Sequence, residues 1–242
     1  MAAFNRTISL VDCIKQAMGQ IGLTEPATVI GNSDRTVNSF WRLLNQAGKW
    51  LSMKYEWECL QREHVIPTVS PTLAYDLPTD WNGYIPDTSW NLSSTLPTIG
   101  SLPMASWQAI KARSLSGQTI TLLYKLFNNQ VNFDHVNSTS QNISIWYNSR
   151  RWVVSADGLT FKDECTANDD VIRFEPFMFI SVLKWKWREA RGFSTVAAMK
   201  EAMDAIAAVQ GRDEPPVTLS VVPVNTYPFL GVQNIPDSGY GL

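Results

Sequence analysis

The sequence predicts an α+β fold: a helical bundle with a small antiparallel β-sheet and an extended C-terminal tail. Apolar residues recur at helical spacing near both ends of the 242-residue chain. β-Branched and aromatic residues gather between them in short segments bounded by turn residues, a pattern typical of strands. We expect two N-terminal helices, one short middle helix and two C-terminal helices in a domain over residues 1–211. Strands are inserted over about 57–155, and the tail covers residues 212–242.

The two N-terminal helices are bounded by capping residues. Ser9 is placed to cap the first helix, and Gly22 can end it in a left-handed conformation. The second helix is expected to begin after Ser33 or Asp34 and to run to about Tyr55, with one apolar stripe. We predict that these two helices pack together as an antiparallel pair.

The inserted segment changes to a strand-like pattern. In chain order, it is predicted to hold a strand over 60–66, its partner over 73–77, an ordered loop over 78–103 with a short strand near Tyr84, a short helix after Pro103, and an antiparallel meander over 118–155.

The C-terminal helices are also marked by their ends. Glu175-Pro176 opens the first and Gly192 ends it, while Ser194 caps the second and Gly211 stops it. The predicted buried side of the last helix consists of Val196, Met199, Met203, Ile206 and Val209. Beyond residue 212, prolines and glycines forbid regular helix, although many residues are apolar. Such a tail is expected to dock on a partner, or alternatively to fold back on its own domain.

Composition narrows the class of protein. The net charge of −2 gives no basic footprint for duplex DNA. Three widely spaced cysteines predict reduced thiols and a protein made in a cytoplasm. The N-terminus lacks signal-peptide features and the longest apolar run is short, so we expect neither export by that route nor a membrane partner.

Residues with catalytic potential are few. His64 and His135 have no Cys, Asp or Glu at metal-ligand spacing, so no metal or other cofactor is expected. The sequence leaves a Ser-His-Asp or Cys-His site open, although it contains no nucleophile-elbow or cysteine-protease signature. The acidic pairs at 163–164 and 169–170 are interpreted as a solvated turn rather than a calcium loop. These observations favour a protein that is not an enzyme.

One basic helix face has two interpretations. Lys184, Arg188 and Arg191 lie on one side of the predicted helix, with Lys186 nearby. They form either a solvated face opposite the apolar residues, or a surface that meets a neighbouring subunit, an acidic partner or DNA phosphates.

Three stretches together resemble a known family. Residues 77–90 read LPTDWNGYIPDTSW, residues 102–112 read LPMASWQAIKA, and residues 184–192 read KWKWREARG. In order and spacing they are similar to segments of the head-to-tail adaptors of short-tailed bacteriophages, also called tail tubular protein A or tail accessory factor. The positions that carry the first two likenesses are Leu77, Pro78, Asp80, Trp81, Pro86, Asp87, Trp90 and Trp107. A proline usually precedes the tryptophan of the second stretch, where this chain has Met104-Ala105-Ser106, and region 128–142 is longer than in the family. Both departures affect loop details.

The resemblance implies a structural virion protein of the neck, made in the host cytoplasm. Family members form a ring, commonly of twelve copies, under the portal protein and around the channel through which genomic DNA passes without sequence-specific binding. Distal tail, nozzle and fibre proteins are further implied partners. In this chain the tail residues expected to bind the portal are Val222, Tyr227, Pro228, Phe229 and Leu230. The alternatives are another neck or tail-tube component, or a carbohydrate-binding or tail-hydrolase module suggested by the aromatic-rich strands.

Overall fold

The structure, a computed structural model, describes residues 7–112, 121–136 and 139–213. Its helices are Leu10–Ile21 (α1), Arg35–Lys54 (α2), Met104–Ala112 (α3), Pro176–Arg191 (α4) and Val196–Asp213 (α5). Its strands are Ile8–Ser9 (β1), Gln61–Pro67 (β2), Ala74–Asp76 (β3), Trp81–Tyr84 (β4), Trp90–Asn91 (β5), Leu96–Pro97 (β6), Tyr124–Phe127 (β7), Gln130–Phe133 (β8), Asn142–Ser149 (β9), Val153–Val154 (β10), Phe161–Lys162 (β11) and Val171–Ile172 (β12). No helix in these ranges has the length and apolar character needed to cross a membrane.

The prediction of a helical bundle with one small sheet is wrong. The described chain is α+β with five α-helices and twelve strands in three antiparallel sheets. The first sheet has the order β1-β12-β10-β11, the second β2-β9-β5-β6 with β4 also on β9, and the third β3-β8-β7. The difference arises because most pairings join strands far apart in sequence, and local patterns do not encode such partners.

The fold has two hydrophobic cores. The helical body consists of α1, α2, α4, α5 and the first sheet, and one continuous apolar cluster fills it. The β body consists of the second and third sheets with α3, and a smaller cluster fills it: Ile66, Leu77, Leu122, Tyr124, Val131, Phe133, Ile143 and Ile145. The inserted strands from β2 to β9 therefore form a body of their own, whereas β10 belongs to the first sheet of the helical body.

The predicted helix ends are largely confirmed. The Ser9 hydroxyl oxygen accepts a hydrogen bond from the Asp12 backbone N–H at 3.1 Å, and Gly22 has a left-handed φ of 79°. Asp34, not Ser33, caps α2 by accepting from the backbone N–H of Thr36 at 2.7 Å. α4 begins at its proline and ends at a left-handed glycine, as predicted.

The helices pack around α4 rather than as an N-terminal pair. α1 and α2 each lie mainly against α4 and touch one another only slightly. The buried residues of α4 are Met178, Phe179, Ile180, Ser181, Val182, Leu183, Trp185 and Trp187. A helix that is apolar on most sides is buried from several directions, which explains why α4, and not the first pair, is the centre of this body.

The buried face of α5 only partly matches the predicted one, of which Ile206 and Val209 are buried as expected. Its alanines Ala198, Ala202 and Ala205 are buried, whereas Val196 is 78% exposed and Met199 is also exposed. Small residues let two helix backbones approach closely, so the alanine stripe lies on the buried side and displaces the larger side chains. The helix also continues past Gly211 to Asp213.

Strand pairing departs from the predicted hairpin and meander. β2 pairs with β9 in a register from Gln61 opposite Asn148 to Pro67 opposite Asn142, while β3 pairs with β8. The segment read as one meander divides among all three sheets, because β7 and β8 form a hairpin, β9 joins β2, and β10 joins the first sheet. The longer strands and the β7–β8 hairpin were predicted, whereas the two-residue strands β1, β5, β6, β11 and β12 and the long-range partners were not.

One contact holds α2 against the first sheet. Trp152 is fully buried, and its indole N–H donates to the backbone oxygen of Asp163 at 2.8 Å. Its ring stacks on Phe174 and tilts against Phe179 of α4. A Cβ placed on Gly48 of α2 would overlap the far side of the same ring. The tryptophan thus occupies the space that a glycine leaves on α2.

Replacing that glycine should destabilise the protein despite the better helix propensity of alanine. We expect Gly48→Ala to lower the free energy of unfolding by about 1–3 kcal/mol, because the new methyl group forces Trp152 out of a packed site. The control is Gly211→Ala, where the added Cβ meets nothing and stability should rise by up to about 1 kcal/mol. Urea unfolding measures both, and equal effects of the two substitutions would contradict the packing argument.

Candidate functional site

The histidines lie in the β body and do not form a recognisable catalytic group. Nδ1 of His135 is 2.8 Å from Oδ2 of Asp134, whose other oxygen accepts from the backbone N–H of Leu123. Ser94 lines the same cavity, but no hydrogen bond joins its hydroxyl to the His135 ring. The cavity of about 60 Å³ is far smaller than substrate pockets, which begin near roughly 300 Å³. The Asp134–His135 pair therefore holds the chain locally.

The three cysteines are free thiols with little reactivity. Burial raises the pKa of Cys13 and of Cys165 well above the ordinary value. Burial also raises the pKa of Cys59 to about 11. Because the thiolate is the nucleophile and the metal ligand, these thiols are inert near neutral pH. Within the described ranges, no group of three or more His, Cys, Asp or Glu could hold a metal ion.

The acidic loop before α4 is structural, and one of its carboxylates is buried. Asp170 accepts from Lys162 Nζ at 2.7 Å and from two backbone N–H groups, those of Thr166 and Ala167. Burial opposes its ionisation, but these hydrogen bonds hold the pKa of Asp170 below its usual value. The interpretation of a fully solvated turn is therefore wrong for Asp170. Sequence reasoning also missed Asn168, whose side-chain oxygen accepts from the backbone N–H groups of residues 29 and 30.

The first family-like stretch forms a buried polar joint in the β body. The carboxylate of Asp80 accepts from the hydroxyls of Ser149 at 2.6 Å and Tyr147 at 3.1 Å. Trp81 stacks on the Tyr147 ring with 5.0 Å between ring centroids. These contacts fix the loop before β4 against the end of β9. The likeness to the family therefore falls on residues that hold the fold together.

The other positions of the family-like stretches have mixed environments. Leu77 and Trp107 are buried, Pro78 and Trp90 are half-buried, and Pro86 and Asp87 are exposed. Asp87 has a φ of 57°, a left-handed conformation that Asp tolerates better than most residues. Lys111 lies over the Trp107 ring of α3.

Burial alone would raise the pKa of Asp80, but the hydrogen bonds from Ser149 and Tyr147 outweigh it and hold the pKa below its usual value. Burial and the neighbouring Asp80 raise the pKa of Tyr147 to about 12, so the phenol stays protonated and donates. A carboxyl group whose folded pKa is depressed stabilises the protein above its unfolded pKa. That stabilisation is lost as the pH falls through the folded pKa.

The four basic residues predicted on one face of α4 have two different environments in the structure. Lys184 forms an ion pair with Glu201 of α5 at 2.8 Å, and Lys186 pairs with Glu189 at 3.0 Å and lies over the Trp185 ring. Arg188 and Arg191 remain exposed. Lys184 thus joins α4 to α5, Lys186 pairs within α4, and the exposed arginines lie at the C-terminal end of the helix.

Arg191 meets two arginines of α2 that sequence reasoning missed. It lines an open groove together with Arg35 and Arg42. The available signal was the charge pattern of α2, whose four charged residues are all basic. The predicted portal-binding residues Val222, Tyr227, Pro228, Phe229 and Leu230 lie outside the described residues.

The sequence matches no protein-family model. No curated protein matches it with significance.

Replacing Asp80 should reveal the charge-dependent part of its contacts. We expect Asp80→Asn to lower the free energy of unfolding by about 1–3 kcal/mol near neutral pH, because a buried acceptor of two hydroxyl donors is weakened. The difference from the original protein should shrink as the pH falls from the ordinary aspartate value of about 4 through the lower folded pKa of Asp80, because the folded carboxyl group becomes protonated there.

Denaturant unfolding at several pH values measures this difference. The exposed Asp204 supplies a matched control, since Asp204→Asn should change stability by no more than about 0.5 kcal/mol at any pH. An undiminished loss for Asp80→Asn at pH 3 would show that the ionised carboxylate contributes nothing.

Proposed function

We propose that this chain is a structural assembly protein, the head-to-tail adaptor of a short-tailed bacteriophage. The observation that carries the proposal is the presence, in order, of three stretches resembling that family, at residues 77–90, 102–112 and 184–192. In this role the protein forms a ring under the portal, extends the DNA channel and provides the platform for the distal tail and fibres. The ring has twelve copies by analogy with the family.

The use of the resembling residues supports a structural role. The Asp80 carboxylate accepts hydrogen bonds from Ser149 and Tyr147 of its own chain, and the Trp81 ring stacks on the Tyr147 ring. Lys184 of the third stretch is tied to Glu201. A family that shares a shape rather than a reaction is expected to retain residues that hold the shape.

Exposed apolar side chains on both bodies also support an assembly protein. In the helical body they are Met53, Leu159, Phe177, Phe193, Val196 and Met199. In the β body they are Val65, Val69, Leu73, Leu92, Leu96, Ile99, Met104, Phe127 and Trp146. Such side chains are suited to burial against neighbouring copies or the portal.

The carbohydrate-binding alternative gains less support from the structure. It calls for exposed tryptophan pairs over a groove, or two carboxylates facing across one. The structure describes all ten tryptophans, and only Trp146 is among the exposed large apolar residues. One groove of about 330 Å³ does have several carboxylates in its lining, those of Glu56, Glu58 and Asp213, but no tryptophan is among its lining residues. Another neck or tail-tube component remains the nearer alternative, and portal binding separates it from the adaptor.

The C-terminal tail is the proposed portal anchor. α5 ends at Asp213, and the apolar tail residues Tyr227, Phe229 and Leu230 follow it in the sequence. A segment that becomes ordered only on binding loses its conformational entropy at that step, which allows the components to assemble one after another. A ring repeats each weak contact many times and makes the joint hard to open.

Portal binding tests the adaptor role. We expect the full chain alone to elute as a monomer or small oligomer, and to join a large stable complex when mixed with the portal ring of its phage. Size-exclusion chromatography with light scattering measures both states. The absence of a complex with an intact portal ring would refute the adaptor role and favour a distal tail component.

Truncation after Asp213 tests the tail. Because this cut leaves α5 whole, we expect an unchanged far-ultraviolet circular dichroism spectrum for the described body and loss of portal binding. The full-length variant with Tyr227, Phe229 and Leu230 changed to serine should lose binding too. A matched variant with Asn225, Gln233 and Asn234 changed to serine should retain it. Undiminished portal binding by the truncated chain would refute the docking role of the tail.

A further inference from the structure

Positive charge is concentrated on two adjacent helices. α2 carries Arg35, Arg42, Lys49 and Lys54 and no acidic residue, and α4 carries four basic residues and one acidic residue. Eight of the twenty Lys and Arg residues of the chain therefore lie on these two helices, although the net charge is −2. The helical body thus has a basic side that the overall charge conceals.

An open groove of about 570 Å³ runs between the N-terminal half of α2 and the C-terminal end of α4. Its lining consists of Arg35, Thr36, Ser39, Arg42, Leu43, Trp187, Ala190 and Arg191. No Asp or Glu is among these lining residues. Arg35, Arg42 and Arg191 form no ion pair with any described carboxylate, whereas Lys49, Lys162, Lys184 and Lys186 each do. The three guanidinium groups are therefore available to an anion.

The spacing of the cations fits an extended ligand. Arg35, Arg42 and Lys49 recur every seven residues along α2, which separates them by about 10 Å each along the helix axis. Arg42 also lines a second depression on the other side, which reaches Lys49 and its partner Glu164. Because Glu164 already holds Lys49, the cations open to a ligand are Arg35 and Arg42 on α2 and Arg191 on α4. A single small anion spans less than the separation of the two α2 arginines, whereas a chain of phosphates can span it.

The aromatic wall of the groove is not placed to read bases. The Trp187 ring already packs against Phe40 at 5.6 Å and Phe193 at 5.7 Å, and Arg191 lies over it. Its indole N–H is covered and has no acceptor among the described residues, which is costly for a buried donor. The Trp187 ring is therefore a packed wall of the groove and not a stacking platform.

We infer that the groove between α2 and α4 binds the phosphate backbone of nucleic acid through Arg35, Arg42 and Arg191, without regard to base sequence. Arginine forks match phosphate oxygens, and backbone contacts carry affinity but no sequence information. Lys184 and Lys186, which sequence analysis singled out, take no part because carboxylates already hold them. This activity does not depend on portal binding.

The test measures DNA binding by the full chain alone, with fluorescence polarisation and two labelled duplexes of unrelated sequence. We expect equal affinities for the two duplexes and strong weakening by salt. Replacing Arg42 and Arg191 together by glutamine should weaken binding at low salt by about tenfold or more. It should also reduce the slope of log K against log salt by about two, one for each lost phosphate contact.

Two matched variants separate the groove from overall charge. The pair Arg150→Gln and Arg212→Gln removes the same charge from exposed sites outside the groove and should change the affinity by less than about twofold. The pair Arg42→Lys and Arg191→Lys keeps the charge and should keep the salt slope. Melting temperatures confirm that each variant is folded, which is expected because Arg42 and Arg191 are exposed.

Several outcomes would overturn the inference. Equal losses in the groove pair and the control pair would assign DNA binding to net charge alone. Equally tight binding of poly-glutamate would indicate an acidic protein partner. Binding of pyrophosphate by a protein that binds no DNA would indicate a small phosphate ligand. Because no portal is present in these measurements, failure here leaves the adaptor proposal untouched, and failure of portal binding leaves the groove untouched.

Discussion

Trp152 lies in the space that Gly48 leaves on α2, and the arrangement of the helical body depends on this contact. The ring packs on Phe174 and Phe179, so one side chain joins α2, α4 and the first sheet. Its N–H fixes the backbone at Asp163. The loop that follows is held in turn by α2, because the Cys165 backbone oxygen accepts from the Trp41 indole N–H and its N–H donates to Asn45. Burial of the Trp152 ring thus contributes packing free energy, and its indole N–H determines the orientation of the ring.

The same short stretch of chain also anchors the β body. Tyr147 and Ser149, at the end of β9, donate to the buried Asp80 carboxylate, only a few residues before Trp152. Between these anchors, the Arg150 backbone N–H donates to the Asp80 backbone oxygen at 2.9 Å. Residues 147–152 therefore connect the two cores and are held on both sides. This arrangement fixes the two bodies relative to one another more firmly than a linker would.

The helices could be predicted from nearby residues in the sequence, whereas the strand partners and the buried helix faces depend on tertiary contacts. Capping residues such as Ser9, Gly22 and Gly192 act within one turn, so the helix ends could be read from the sequence. Strand partners and the alanine face of α5 depend on which surfaces meet, and helical spacing correctly predicted burial of Ile206 and Val209 but not the exposure of Val196 and Met199. The basic groove was missed because Arg35 and Arg42 are remote in sequence from Arg191. Each helix considered alone shows only an ordinary charged side.

The pairing of Gln61 with Asn148 brings together the two ends of the inserted chain. The helical body is built from the segments before and after that insertion, so without this pairing its halves are joined only by a long flexible loop. Closing such a loop costs conformational entropy that grows with its length. Once β2 and β9 have paired, the contacts within the β body have already offset this loss of conformational entropy. The two segments of the helical body are then held close together at a high effective concentration. The pairing of β2 with β9 therefore favours helix packing, although these two strands make little direct contact with the helices.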